Sequence, residues 1–163
     1  MNGQDYNLAS QDLQDTSYWQ IVNDAVMGGL STSDVKFTEH GVEFIGTVRL
    51  ENNGGFCMLQ FMPEQISIQD LERVIIEVKA APKTYQLRLK SSRSDYYNYY
   101  QNFDTTGEWQ RLSFNLADFK PQYRGRLLNK SNFKASSIAQ ISFLIGNKRP
   151  EDFSLTIKSV SFQ

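Results

Sequence analysis

The sequence predicts an all-β fold, an antiparallel sandwich or barrel with little helix. About nine or ten short segments alternate apolar with polar residues, and turn-forming residues separate them at intervals of about 8–12 positions. Two double-glycine stretches, Gly28-Gly29 and Gly54-Gly55, mark the tightest turns. At 163 residues the chain suits one domain, and folding would bury about 70% of the surface that the unfolded chain exposes. Residues 1–16 are rich in Asn, Gln and Asp and read as a loosely ordered leader, and 17–163 as a single β domain.

In chain order, the leader holds a short extended stretch at Tyr6 to Leu8, and Trp19 and Ile21 open the domain. Val35 and Phe37 alternate with polar neighbours, Glu39-His40-Gly41 turns, and Val42, Phe44, Val48 and Leu50 mark a longer strand that slips phase near Ile45-Gly46. Asn52-Asn53-Gly54-Gly55 carries a hairpin signal, because Asn and Gly both accept left-handed geometry, and the chain is expected to reverse or bulge there. The run from Phe56 to Met62 suits a central strand, and Pro63 stops it by removing a ladder donor. A short helical turn is expected between Glu64 and Glu72.

Val74, Ile76 and Val78 put one face of the next strand inward, and Tyr85, Leu87 and Leu89 do the same for the one after, leaving Gln86, Arg88 and Lys90 outward. Eight residues from Tyr96 to Phe103 include four tyrosines and read as a strand. Tyr97, Tyr99, Gln101 and Phe103 face the core, and Tyr96, Asn98, Tyr100 and Asn102 face outward. Leu112, Phe114 and Leu116 point inward from the strand that begins at Trp109. Residues 117–134 read as an ordered crossing loop with one helical turn. Ile138 to Ile145 and Phe153 to Phe162 supply the last strands; Val160 and Phe162 fall out of phase with Phe153, Leu155 and Ile157, which asks for a bulge near Lys158-Ser159. Lys36, Glu77 and Lys158 are charges suited to guarding sheet edges.

Several function classes are excluded. Hydrophobic residues at 40% and charged residues at 21% argue against disorder, and the apolar runs are too short for a membrane-spanning helix. A net charge of −1 supplies no positive field for nonspecific nucleic-acid binding. Cys57 is the only cysteine, so there is neither an internal disulfide nor a thiolate metal cluster, and no alternating acids form a calcium loop. The polar start Met1-Asn2-Gly3-Gln4-Asp5 lacks the basic and apolar regions of a secretory signal, which together with cysteine usage points to the cytoplasm. One histidine and one cysteine make a thin catalytic inventory: His40 precedes an exposed turn, and Cys57 sits in an apolar run where a thiol is inert. No cofactor or metal is expected.

The candidate binding residues are Asp24, Met27, Asn53, Arg88, Asn98, Tyr100, Asn102 and Arg124. Asp24 either caps the amides of its own glycine loop or offers its carboxylate to a ligand, and capping is the plainer role. Tyr100 with Arg88, Asn98 and Asn102 could stack on a sugar or anchor a protein partner. Arg124 and Arg126 bracket a glycine and suit pairing with acids of the crossing loop.

Trp19, the loop Asn23-Asp24-Ala25-Val26-Met27-Gly28-Gly29-Leu30-Ser31, the segment Leu50-Glu51-Asn52-Asn53-Gly54-Gly55-Phe56, Trp109, Asp118-Phe119 and Arg124-Gly125-Arg126 together resemble the complex I intermediate-associated protein family. The resemblance implies a galactose-binding-like jelly roll, a two-sheet sandwich whose relatives include carbohydrate-binding modules. It also implies a noncatalytic, chaperone-like assembly factor whose partner is a protein, an assembly intermediate of a membrane complex. The absence of a long N-terminal targeting extension suggests a stand-alone bacterial-type member. A carbohydrate-binding role on an aromatic and polar face is the alternative. An enzyme would require the Asp24 loop and the Arg124 segment to converge on one pocket.

Overall fold

The computed structural model describes residues 6–8, 13–24 and 28–163. All strand pairings among these residues are antiparallel and fall into two stacked sheets plus a small ribbon. The smaller sheet has six strands in the order β10 (Trp109–Asn115), β7 (Arg73–Ala80), β15 (Glu151–Phe162), β4 (Gly41–Val48) and β3 (Thr32–Thr38), with β1 (Tyr6–Leu8) also on β15. The larger sheet has seven, in the order β12 (Arg126–Leu127), β11 (Lys120–Tyr123), β9 (Asn98–Asp104), β8 (Thr84–Lys90), β14 (Gln140–Ile145), β5 (Cys57–Phe61) and β2 (Trp19–Asn23). The ribbon pairs β6 (Ile66–Ser67) with β13 (Ser137–Ile138).

Side chains at alternate strand positions fill the space between the sheets. Leu87, Leu89, Ile141, Phe143, Leu59 and Phe61 come from the larger sheet and Val42, Phe44, Val74, Ile76, Leu155 and Ile157 from the smaller, each at most 1% exposed. Full burial of such a side chain contributes about 1.5–3 kcal/mol. The bulge expected in the last strand is present as a register shift between Ile157 and Ser159. It restores Val160 and Phe162 to the core side, where both are buried.

Four local expectations are corrected. The Asn-Gly signal does not make a hairpin: a 3-10 turn over Glu51–Asn53, with Asn52 and Asn53 at φ 57° and 61°, carries the chain from β4 in one sheet to β5 in the other. Between Glu64 and Glu72 there is no helical turn; the chain forms β6 and then a tight turn closed by the Leu71 amide on the Ile68 carbonyl oxygen at 2.9 Å, with Asp70 at φ 65°. Residues 117–134 are not simply a crossing loop, because β11 and β12 form a hairpin that reverses at Arg124 and Gly125, both with positive φ. Among the guarding charges, Lys36 lies on the edge strand β3, whereas Glu77 and Lys158 lie on the interior strands β7 and β15.

Part of the segment expected to be a loose leader is fastened to the sandwich. The backbone of β1 pairs with the end of β15, from Tyr6 opposite Phe162 to Leu8 opposite Val160. Leu13 is fully buried, and Trp19 Nε1 donates to its carbonyl oxygen at 2.6 Å. Among the described residues, no helix is long and apolar enough to cross a membrane.

Candidate functional site

Asp24 stands at the end of β2 and is 1% exposed. Its carboxylate accepts from Ser31 Oγ at 2.5 Å, Ser31 N at 3.1 Å, Gly55 N at 2.6 Å and Phe56 N at 3.3 Å. Ser31 Oγ in turn takes the Arg49 amide at 2.8 Å. The two glycine pairs are shaped around this group: a Cβ on Gly29 would lie 2.4 Å from Asp24 Cγ, and one on Gly54 would lie 2.6 Å from Asp24 Oδ2. Burial alone would raise the Asp24 pKa, but the bonds from the Ser31 hydroxyl and the Gly55, Ser31 and Phe56 amides outweigh it and hold the carboxyl below the usual aspartate value. Asp24 therefore serves the fold, locking its own loop to the Asn52-Gly55 turn, and has no face left for a ligand.

The other predicted residues are spread unevenly. Met27 lies outside the described residues. Asn53 is exposed on the turn beside the Asp24 lock. Arg124 sits exposed at the β11–β12 reversal with its guanidinium 5.2 Å from the Tyr123 ring centroid. Neither it nor Arg126 forms an ion pair among the described residues, so the expected pairing with loop acids is replaced by a cation–π contact. Because β2 and β12 are opposite edges of the larger sheet, Asp24 and Arg124 do not converge on one pocket.

Arg88, Asn98, Tyr100 and Asn102 do converge, on the outward face of the larger sheet. The strand register lays one row across six strands: Gln20, Gln60, Ser142, Arg88, Tyr100 and Lys120. A second row runs through Leu144, Gln86 and Asn102, and Asn98 faces Gln122 and Leu127 at the β9–β11–β12 end. Although it faces away from the core, this surface is closely shielded: Ser142 is 2% exposed, Gln122 3% and Gln140 8%. Gln122 Nε2 donates to Asn98 Oδ1, and Arg88 Nε donates to Gln86 Oε1 at 2.9 Å. Arg88 is half-buried, and burial pushes its guanidinium pKa down to about 10, against the opposing pull of Tyr100.

The alternation of the tyrosine segment holds within β9, where Phe103 is buried and Tyr99 packs at 5.1 Å on Phe133. It does not reach Tyr96, which precedes the strand and packs on Tyr97 and Tyr123 instead of joining the Tyr100 face. Gln60, Ser142 and Lys120 were not singled out from the sequence. Alternation marks them as outward, but only the strand order places them beside Arg88.

The outward face of the smaller sheet has a depression of about 500 Å³ bordered by His40, Glu43, Lys79, Trp109 and Thr156. Its charges are largely matched: Arg111 pairs with Glu77 at 3.3 Å, and Lys36 stands opposite Glu43. His40 is exposed on the turn after β3, while Cys57 is buried in β5, so they form no dyad. Burial pushes the Cys57 thiol up to about 12. Ellman's reagent at pH 8 is therefore expected to leave the folded protein unlabelled and to titrate one thiol per chain once denaturant is added. Among the described residues, no group of three or more His, Cys, Asp and Glu side chains comes together to hold a metal ion.

Two stacked antiparallel sheets, with polar and aromatic side chains gathered on one outward face, define the class of jelly-roll sandwiches to which many binding modules belong. The family 11 carbohydrate-binding module from Clostridium thermocellum, in complex with a β-1,3-1,4-mixed-linked tetrasaccharide, superposes with a TM-score of 0.68 at 10% identity, over 97% of this chain and 94% of that one. A family 11 module of the cellulosomal cellulase Lic26A-Cel5E of the same organism gives 0.65 at 12% identity, over 89% and 86%. TmCBM61, in complex with β-1,4-galactotriose, gives 0.52 at 10% identity, over 96% and 95%. At such identities the likeness shows the fold alone. No curated protein sequence matches significantly. The profile described as complex I intermediate-associated protein 30 (CIA30) matches residues 6–157, and the chain belongs to that family.

Proposed function

We propose that this protein is a noncatalytic, assembly-factor-like binding module of the cytoplasm that holds a protein partner, an assembly intermediate of a membrane complex, on the outward face of its larger sheet. The observation that carries the reading is the row through Arg88 and Tyr100: a shielded polar surface around a half-buried arginine, continuous with exposed Leu127 and unlike the charge-matched face opposite. Family membership supports the assembly role. Arg and Tyr are side chains that anchor protein interfaces. The noncatalytic reading is supported by the engagement of Asp24 in its own loop and by the burial of Cys57 in the core.

The test is photocrosslinking from the face. A benzophenone amino acid in place of Tyr100 is expected to capture a stoichiometric partner from native lysate, drawn from the soluble or the membrane fraction. The same group in place of Trp109, on the other outward face, should not. Repeated failure of the Tyr100 probe to enrich any partner in both fractions would sink the reading.

A carbohydrate is the second reading, favoured by the amides of Asn98, Asn102 and Gln86 set around the Tyr100 ring and by the sugar-binding modules that share the fold. Titration with β-1,4-galactotriose or a mixed-linked glucan tetrasaccharide, followed by amide chemical shifts, decides it. Saturable shifts along β8 and β9 would move the assignment to sugar, and none would remove this reading.

A further inference from the structure

The charges of the larger sheet's outward face are one-sided. Arg88, Lys90 and Lys120 all point to it by register. Among the described residues, no carboxylate pairs with any of the three. The acid that the strands place on this face is Asp104, four residues along β9 from Tyr100, and its carboxylate accepts from Thr84 Oγ1 at 2.6 Å. Asp95, in the turn after β8, takes Ser91 Oγ at 3.1 Å, while its backbone oxygen takes Lys90 Nζ at 2.9 Å. Arg88 alone is central and half-buried, and among the described residues its one side-chain partner is the neutral amide oxygen of Gln86. A guanidinium has five N–H donors in a planar fork, so one bond through Nε leaves the end that fits a carboxylate uncommitted. Shielding a cation without an opposite charge costs stability, and the lowered Arg88 pKa reflects that cost.

We propose that Arg88 is the recognition residue for a carboxylate, and that the ligand is an extended, acidic protein segment that lays an Asp or Glu side chain against it. The inference rests on the protein-binding reading above and adds the chemistry of the partner. Charge complementarity selects the acid. Leu127, 61% exposed and facing the same way as Gln122 at the end of the sheet, selects a protein segment over an acidic sugar chain, since it offers aliphatic surface to a partner's apolar side chain. The ligand also supplies the counter-ion that the fold omits, so binding and stability pull in opposite directions at this one position.

The experiment selects a displayed random peptide library against the whole protein, then measures affinities of the recovered peptides by fluorescence anisotropy. Peptides carrying Asp or Glu at one fixed position are expected. Changing that acid to its amide, or Arg88→Gln, should each weaken binding roughly 30-fold or more, and the two changes together should weaken it little further. Arg88→Lys should restore part of the loss. The free Arg88→Met protein should melt no lower than wild type, because an unpaired shielded charge has been removed; an arginine kept for structure would give a lower melting temperature. Recovered peptides without a common acid, or binding indifferent to Arg88→Gln, would overturn the carboxylate inference while leaving the protein-binding reading standing. If the library yields nothing and oligogalacturonate binds in an Arg88-dependent way, the ligand is an acidic sugar and both readings fall.

Discussion

Asp24→Ala is expected to lower the unfolding free energy by on the order of 3 kcal/mol or more, measured by urea denaturation, because it leaves the buried amide of Ser31 and the part-buried amides of Gly55 and Phe56 without their acceptor. Asp24→Asn keeps the volume but turns a donor toward at least one of those amides, and should lose a large part of the same stability. The acid limb carries the sign. The carboxyl is held below its ordinary value, so its contribution is complete above the unfolded-state pKa of about 3.9 and fades as pH falls through the lower folded-state value. Wild type should therefore lose stability on acidification below about pH 4 more steeply than Asp24→Asn. Equal slopes for the two proteins would mean that the carboxylate is not charged in the native state.

Phe61→Ala should cost about 3–5 kcal/mol and lower the melting temperature by about 10 °C. Phe61 is 1% exposed at the end of β5, with the Trp19 ring at 4.6 Å and the Tyr18 ring at 6.0 Å from its own. Truncation opens a cavity beneath Trp19, the residue that also holds Leu13 through its indole N–H. The chain has two tryptophans, and Trp109 is already 44% exposed, so a red shift in emission would report Trp19. An unchanged spectrum together with a small loss of stability would show that the contact carries little of the packing.

Much of this architecture is legible in the residues, because the period of two is a local property. The inward positions of Leu87, Leu89 and Phe103, the outward positions of Arg88 and Tyr100, and the phase break before Val160 all follow from which face needs apolar area. The pairing order is not local. Nothing near Ser142 or Gln60 shows that β14 lies between β8 and β5, so the centre of the face could be named only in part. The β11–β12 hairpin escaped notice because Arg124 occupies a left-handed position usually held by Asn, Asp or Gly. The Asn53-Gly54 pair misled for the opposite reason: a left-handed turn is present, at Asn52 and Asn53, but the strands it joins belong to different sheets. Asp24 could be suspected as a cap of its own loop; its reach to Gly55, thirty-one residues further on, could not.

Twelve-residue β15 pairs along one flank with β7 and along the other with β4 and then β1. The spine of the smaller sheet is thus made after every other strand described above. Until residues 151–162 emerge, β4 and β7 have no partner between them and keep their apolar sides within reach of other chains, so synthesis passes through a stage in which this layer is open and adhesive.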